Sequence, residues 1–349
     1  MKRLSDNHLP SVQSNAHTQG LLLAVATYVM WGFFPLYFIL LEPAGALEVI
    51  VHRTVWALVT CLIVLTLVGR LQSFRVIFHD RWALAHLGLA GLLIVTNWTI
   101  YVYAVMTERT TDAALGYFIN PLFTVLLALI VLKERLILAE KIALALGGVA
   151  VLVLVIGVGS IPWISLALPV SFGLYSLVKK RVAQAIQPLA GMAVETLAVS
   201  PILIGYYIYL LVTKQTSFHI LAHAQAPQSV SLHAVLLIGA GVLTMIPLTM
   251  LAASARHLPL GLLGMLQYMS PILQLIVGVW IFGEYMEPAR WIASVIVWLA
   301  LVVLSFGMWG QAKAQRRFEK HLKRAKRRHY DRRSDVRCDE KTESTPCDG

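Results

Sequence analysis

The chain has 349 residues, of which 58% are hydrophobic and 13% charged, whereas a soluble domain carries roughly 25% charged side chains. A soluble fold of this length would need more polar surface than these residues supply, so lipid is the expected solvent for most of the chain. The net charge of +11 does not point to nucleic acid, because residues 311–349 hold 13 basic and 7 acidic side chains and gather a net of +6 into one tail.

A spanning helix needs about 20 mostly apolar residues, and ten such runs follow one another: 19–41, 46–68, 83–106, 112–132, 139–157, 161–179, 190–212, 232–254, 260–282 and 289–309. The first has the outline of a secretory leader, with Lys2 and Arg3 before it and Ala44-Gly45-Ala46 after it. From Gly20 to Leu41 it is 22 residues long, beyond the roughly 7–15 of a leader's apolar core, and it contains Tyr28, Trp31 and Tyr37. A retained first helix is therefore expected. Within it Trp31-Gly32 offers an aromatic wall and a close backbone approach, and Pro35 breaks the hydrogen-bond ladder.

In the second run Glu48, His52 and Trp56 recur at intervals of four and share a face, with Arg53 beside them. Ionisable groups inside an apolar helix need a partner or a water-filled cavity. Two readings stand: a charged lining of a solute path, or an interfacial helix end, since Glu48 lies about one turn from the boundary. His52, whose unperturbed imidazole titrates near pH 6.5, is the candidate proton switch.

Asn97 and Tyr101 lie four apart in the third run, and Tyr117 precedes Asn120-Pro121 in the fourth. Ala139, Ala143 and Gly147 in the fifth form a small-residue stripe that reads as packing. Pro162-Trp163 suits the interfacial start of the sixth run. Glu195, about two turns inside the seventh, is either a carboxylate of the path or a partner of Lys179 or Arg181. In the ninth, Gln267 and Tyr268 precede Ser270-Pro271. Each of these polar clusters stands before a proline that frees a backbone carbonyl, which is how midplane solute sites are commonly built. The alternative is interhelical bonding that only holds a bundle together.

His219, His223 and His233 flank a loop rich in Gln, Ser and Thr, so no metal site is expected there. Cys61 sits in an apolar run and Cys338 and Cys347 in the tail, which implies no disulfide framework. The basic run Lys313 to Arg333 directly follows a helix and is expected to anchor the topology and contact anionic lipids. There is no P-loop, no zinc-protease motif and no Gly-x-Ser-x-Gly elbow, so neither ATP coupling nor a cofactor is expected.

An offset of 150 matches Pro121 to Pro271, Glu134 to Glu284, Ala139 to Ala289 and Ala143 to Ala293. Five helices per repeat is odd, so the second half must be inverted relative to the first. The expected fold class is all-α: a polytopic membrane protein with ten transmembrane helices in two inverted five-helix repeats. Its segments are a cytoplasmic stretch 1–18, a first repeat 19–157, a second repeat 158–310 and a basic, disordered cytoplasmic tail 311–349. Lysine and arginine in the short loops number ten on the tail's side (Arg70 through Arg256) and three on the other (Arg109, Lys214 and Arg290), which places both termini in the cytoplasm.

The succession Tyr28, Trp31-Gly32, Pro35-Leu36-Tyr37, then Glu48, His52-Arg53 and Trp56, resembles the opening of the RarD proteins, EamA-like members of the drug/metabolite transporters. Asn97-Trp98 to Tyr101, Gly116 to Pro121, Gln267-Tyr268 with Pro271, and the turn Phe282 to Glu284 extend the resemblance over residues 19–310. It implies two inverted five-helix repeats around a central cavity in the plasma (inner) membrane, and carriage of small organic solutes, often as export. Trp31 comes from the residue reading as a further candidate; Glu48, His52, Arg53, Asn97, Tyr101, Tyr117, Asn120, Gln267 and Tyr268 carry the match and complete the candidates for binding or coupling. Against this stand an intramembrane enzyme with Glu48, His52 or Glu195 as acid and base, which lacks a nucleophile, and a solute sensor that binds without flux.

Overall fold

The computed structural model describes residues 10–131, 133, 136–182, 185–223, 229–258, 260–307 and 310. Glu134, one half of the glutamate match, lies outside the described residues, as do Arg135, the first nine residues, Cys338, Cys347 and the tail with its expected lipid contact. The described chain is helical, with no strand among the described residues. Helices α1 (Pro10–Ile39), α2 (Ala46–Leu67), α3 (Leu71–Ile77), α4 (Arg81–Met106), α5 (Thr110–Ile130) and α6 (Leu138–Val158) make the first half. Helices α7 (Trp163–Val182), α8 (Pro188–Val212), α9 (Ser217–His223), α10 (Val230–Ser254), α11 (Leu260–Leu266) and α12 (Met269–Ile276) follow, then a π-turn Val277–Ile281 and a last helix α13 over Pro288–Gly307.

Local chemistry sets the helix ends. Asp80 caps α4, its Oδ1 accepting the N–H groups of Trp82 at 3.0 Å and Ala83 at 3.1 Å. Ser229 caps α10 through Leu232, Pro188 opens α8 at a position where no N–H is needed, and Gly159 ends α6 with a left-handed φ of 68°.

Among the described residues, nine helical stretches are long and apolar enough to cross a membrane, where ten were expected. The sixth run is the one that falls short. It forms α7, a helix of 20 residues, so the deficit is one of composition: Lys179, Lys180 and Arg181 crowd its last turn, and Pro169 and three serines lower its hydropathy. The ninth run forms one span, Leu262–Ile281, but not one continuous α-helix. It is interrupted at Gln267-Tyr268, between α11 and α12, because Pro271 has no N–H to return to Gln267. Pro121, its match in the first half, sits inside an unbroken α5.

The main core gathers Phe38, Ile50, Val102, Ile164, Leu168 and Leu237 from α1, α2, α4, α7 and α10, with Leu41 from the turn after α1. The outer faces carry Leu67, Leu138, Ile156 and Ile202 exposed, as a lipid-facing surface requires. Helix α7 packs on α4 and α5, while α1 packs on α10 and α12; α2 meets α10 and α8, and α4 meets α8.

Glycines mark the closest approaches. A Cβ at Gly91 of α4 would strike the backbone of Glu195 on α8, and one at Gly241 of α10 would strike the backbone at Trp56-Ala57 on α2. Gly157 of α6 meets Ala289 at the start of α13, and Gly307 at the end of α13 meets Ala139 at the start of α6. These two helices therefore run antiparallel, each end of one closing on the opposite end of the other.

Candidate functional site

Proline chemistry builds one wall of a central cavity. Pro35 leaves the carbonyl of Trp31 without its helical donor, and Gln274 of α12 supplies one, Nε2 to O at 3.1 Å. Next to it Gly32 lets α1 seat against Leu273, where a Cβ would collide. The opposite wall is tied by Asn97, buried on α4, whose Nδ2 donates to Leu168 O and to Ser171 Oγ on α7, both at 3.0 Å. Tyr117 of α5 donates to Asn97 Oδ1 at 3.4 Å, so one amide joins three helices.

The cavity enclosed has a volume of about 400 Å³, within the range of small-molecule sites. Trp31, Arg53, Asn97, Tyr101, Tyr117 and Asn120 line it, with Gln267 and Tyr268 from the α11–α12 break. Glu48 and His52 do not. Successive residues on a helix point about 100° apart, so His52 cannot share the direction of Arg53. His52 instead stands edge-on to Tyr207 and Phe218, ring centroids 5.0 and 6.1 Å away. Glu48 accepts the N–H of Ser217 at 3.0 and 3.1 Å and its hydroxyl at 2.9 Å, capping α9. His233 completes that cluster, Nε2 to Ser217 Oγ at 2.9 Å. The hydroxyl is the central member here, whereas in a nucleophile relay the imidazole is central.

Arg53 is 4% exposed. Its Nε donates to Thr244 Oγ1 at 2.8 Å, and its guanidinium lies over Trp98 at 4.3 Å, with Phe38 at 5.4 Å and Phe34 at 5.9 Å. Among the described residues Nη1 has no hydrogen-bond partner, and neither do Tyr101 Oη, Asn120 Oδ1 and Gln274 Oε1.

A second charged group lies farther along the cavity. Lys179 Nζ reaches Glu195 Oε1 at 2.9 Å and Tyr175 Oη at 2.6 Å. Glu195 is thus both a lining residue and a partner of Lys179, joining two roles that the sequence presented as alternatives. Lys179 and Tyr175 were missed as lining residues, because a lysine in a basic final turn looks like an interfacial anchor. At the opposite end Glu284 accepts the N–H groups of Thr110 at 2.6 Å and Thr111 at 2.8 Å, capping α5. Asp112 there bridges Arg109 at 2.9 Å and Arg290 at 3.4 Å. Nothing but the glutamate match hinted at this closure. Among the described residues no group of three metal-ligating side chains gathers; His219 and His223 pack ring against ring, centroids 4.2 Å apart.

The EamA-like transporter family profile matches residues 18–156. Protein RarD of Streptomyces exfoliatus is 39% identical over 89% of this chain and 95% of its own length. An uncharacterized transporter of Pseudomonas aeruginosa is 38% identical over 83% of this chain and 94% of its own. Protein RarD of Escherichia coli K12 is 33% identical over 82% and 93%. A solved crystal structure of a protein at 17% identity aligns with a TM-score of 0.53 over 82% of this chain and 97% of that one, a likeness of fold alone. Identity at this level over nearly the whole of several RarD proteins, on a helical chain of apolar spans, means that this chain belongs to the RarD family of EamA-like transporters, multi-pass membrane proteins of the drug/metabolite transporter superfamily.

Proposed function

We propose that this transporter carries small organic metabolites or drugs outward across the plasma membrane by alternating access at its central cavity. The observation that carries the reading is the cavity itself: apolar and aromatic walls, a few unpartnered polar atoms and one buried arginine, placed where α1, α4, α5 and α12 converge. Trp31, Arg53, Asn97, Tyr101, Tyr117, Asn120, Gln267 and Tyr268 are assigned to solute contact. Glu48 and His52 are assigned to the packing of the α2–α9 end.

The two-repeat architecture with α7 as a tenth span is supported by reciprocity. At an offset of 150, Gly157 and Gly307 correspond, as do Ala139 and Ala289, and the two contacts exchange these partners. Gly91 and Gly241 correspond at the same offset, each closing on a helix of the other half. Antiparallel α6 and α13 fit a two-fold axis lying in the membrane plane. The cavity lining reaches Lys179, Pro188 and Leu251, near the helix ends that bear the basic loops, and the positive-inside rule puts that side in the cytoplasm with both termini. Loading from the cytoplasm fits export.

Counterflow in proteoliposomes tests the reading: exchange of a labelled solute recovered chemically unchanged is expected. Conversion of the solute would establish the enzyme reading instead, and binding without flux the sensor reading.

A further inference from the structure

Among the described residues Arg53 is a cation without a counter-ion. An unpaired charge away from water is costly, so a buried guanidinium normally holds a carboxylate. Here every buried carboxylate among the described residues is engaged elsewhere: Glu48 by Ser217, Asp112 by Arg109 and Arg290, Glu195 by Lys179, and Glu284 by the first turn of α5. What Arg53 does have holds it in place. Thr244 fixes Nε and Trp98 flanks the plane, while Nη1 is left without an acceptor. Such a preset guanidinium edge matches the planar fork of a carboxylate.

We propose that Arg53 is the anchor for a single carboxylate on the cargo, so that the cavity selects monoanionic organic acids with an aromatic or branched apolar body. This rests on the transport reading and adds the chemical class of its solute. The charge balance sets the number: Lys179 and Glu195 cancel, leaving one net positive charge on the lining. One carboxylate makes the loaded cavity neutral, whereas a doubly charged phosphate ester would overshoot. The neighbours set the rest. Tyr101 Oη has a donor free to join Arg53 on the anion, while Trp31, Phe34 and Trp98 offer aromatic surface to the body. Asn120 Oδ1 and Gln274 Oε1 are acceptors without donors, which suits a hydroxyl or amide N–H on the far side of the same molecule.

The test compares matched probes on the purified full-length protein by ligand-dependent thermal stabilisation: phenylacetate against phenylacetamide, and isovalerate against isovaleramide, with phenyl phosphate as the dianionic arm. The acids are expected to stabilise the protein more than their amides and more than phenyl phosphate. Arg53→Gln should lower acid affinity roughly tenfold to a hundredfold, the loss of one charge-assisted hydrogen-bond pair, and leave the amides unchanged. Arg53→Lys, which keeps the charge without the fork, should recover part of it. If no acid stabilises the wild-type protein more than its amide, or if phenyl phosphate does so best, the proposal is overturned, and neither comparison needs a variant to fold. Counterflow of phenylacetate separates the two claims. An acid that binds through Arg53 but is not exchanged sinks the transport reading and leaves the anchor standing; exchange of acid and amide alike does the reverse.

Discussion

Exchanging the partners across the α6–α13 contact gives a prediction that only reciprocal packing makes. Gly157→Ala places a methyl group against Ala289 where none fits, and overpacking of this kind costs about 1–3 kcal/mol. Alanine also returns about 1 kcal/mol as the better helix former, so the single variant alone is a blurred readout. Combining it with Ala289→Gly restores the volume and leaves propensity to cancel in a double-mutant cycle. The expected coupling is about 1–2 kcal/mol, a fivefold to thirtyfold change in the unfolding equilibrium. Gly307→Ala with Ala139→Gly should couple by a similar amount. The crossed pairs, Gly157→Ala with Ala139→Gly and Gly307→Ala with Ala289→Gly, should be additive. Unfolding by sodium dodecyl sulfate in mixed micelles, followed by circular dichroism, measures all four cycles. Crossed pairs that couple as strongly as matched ones would refute the two-fold relation between the halves.

Glu284→Ala should leave the N–H groups of Thr110 and Thr111 without an acceptor and cost about 1–3 kcal/mol, with faster amide exchange confined to the start of α5. Glu195→Gln strands Lys179, whose side chain is 30% exposed, so the loss should be only about 1–2 kcal/mol in thermal stability once solvent screening is allowed for; adding Lys179→Met should recover most of it, and a double variant less stable than either single would contradict the pairing. His52→Gln removes a ring packed on Tyr207 and Phe218 and should lower stability while leaving the pH profile of flux between about pH 5 and 8 in place; a flattened profile would return His52 to the coupling role its spacing first suggested.

The spans were legible because hydropathy is a property of single residues summed over a window, and its signal is weakest at α7, which joins a membrane-length helix to a basic end. The cavity was legible in part for a related reason. Asn97, Tyr117, Asn120 and Gln267 are polar groups stranded in apolar runs, and Pro35 and Pro271 announce freed carbonyls. Which of several polar neighbours faces inward was not legible. Glu48, His52 and Trp56 obey helical spacing perfectly well, yet Glu48 and His52 meet α8 and α9 while Trp56 closes on Gly241 of α10, and only tertiary packing decides that Arg53 turns to the cavity. The proposed repeat shows in the sequence through the matches of Pro121 to Pro271 and Glu134 to Glu284. The contacts that support it best, Gly157 with Ala289 and Gly307 with Ala139, involve residues so common in membrane helices that a match between them carries little weight until the contact is seen.

Alternating access at this cavity is tested most directly by labelling from the two faces of the membrane. In a background with Cys61→Ala, Cys338→Ser and Cys347→Ser, Ser270→Cys puts a single thiol on the cavity wall. A membrane-impermeant maleimide applied to oriented vesicles is predicted to modify it from either face. Modification from one face alone, whatever the time allowed, would contradict the account.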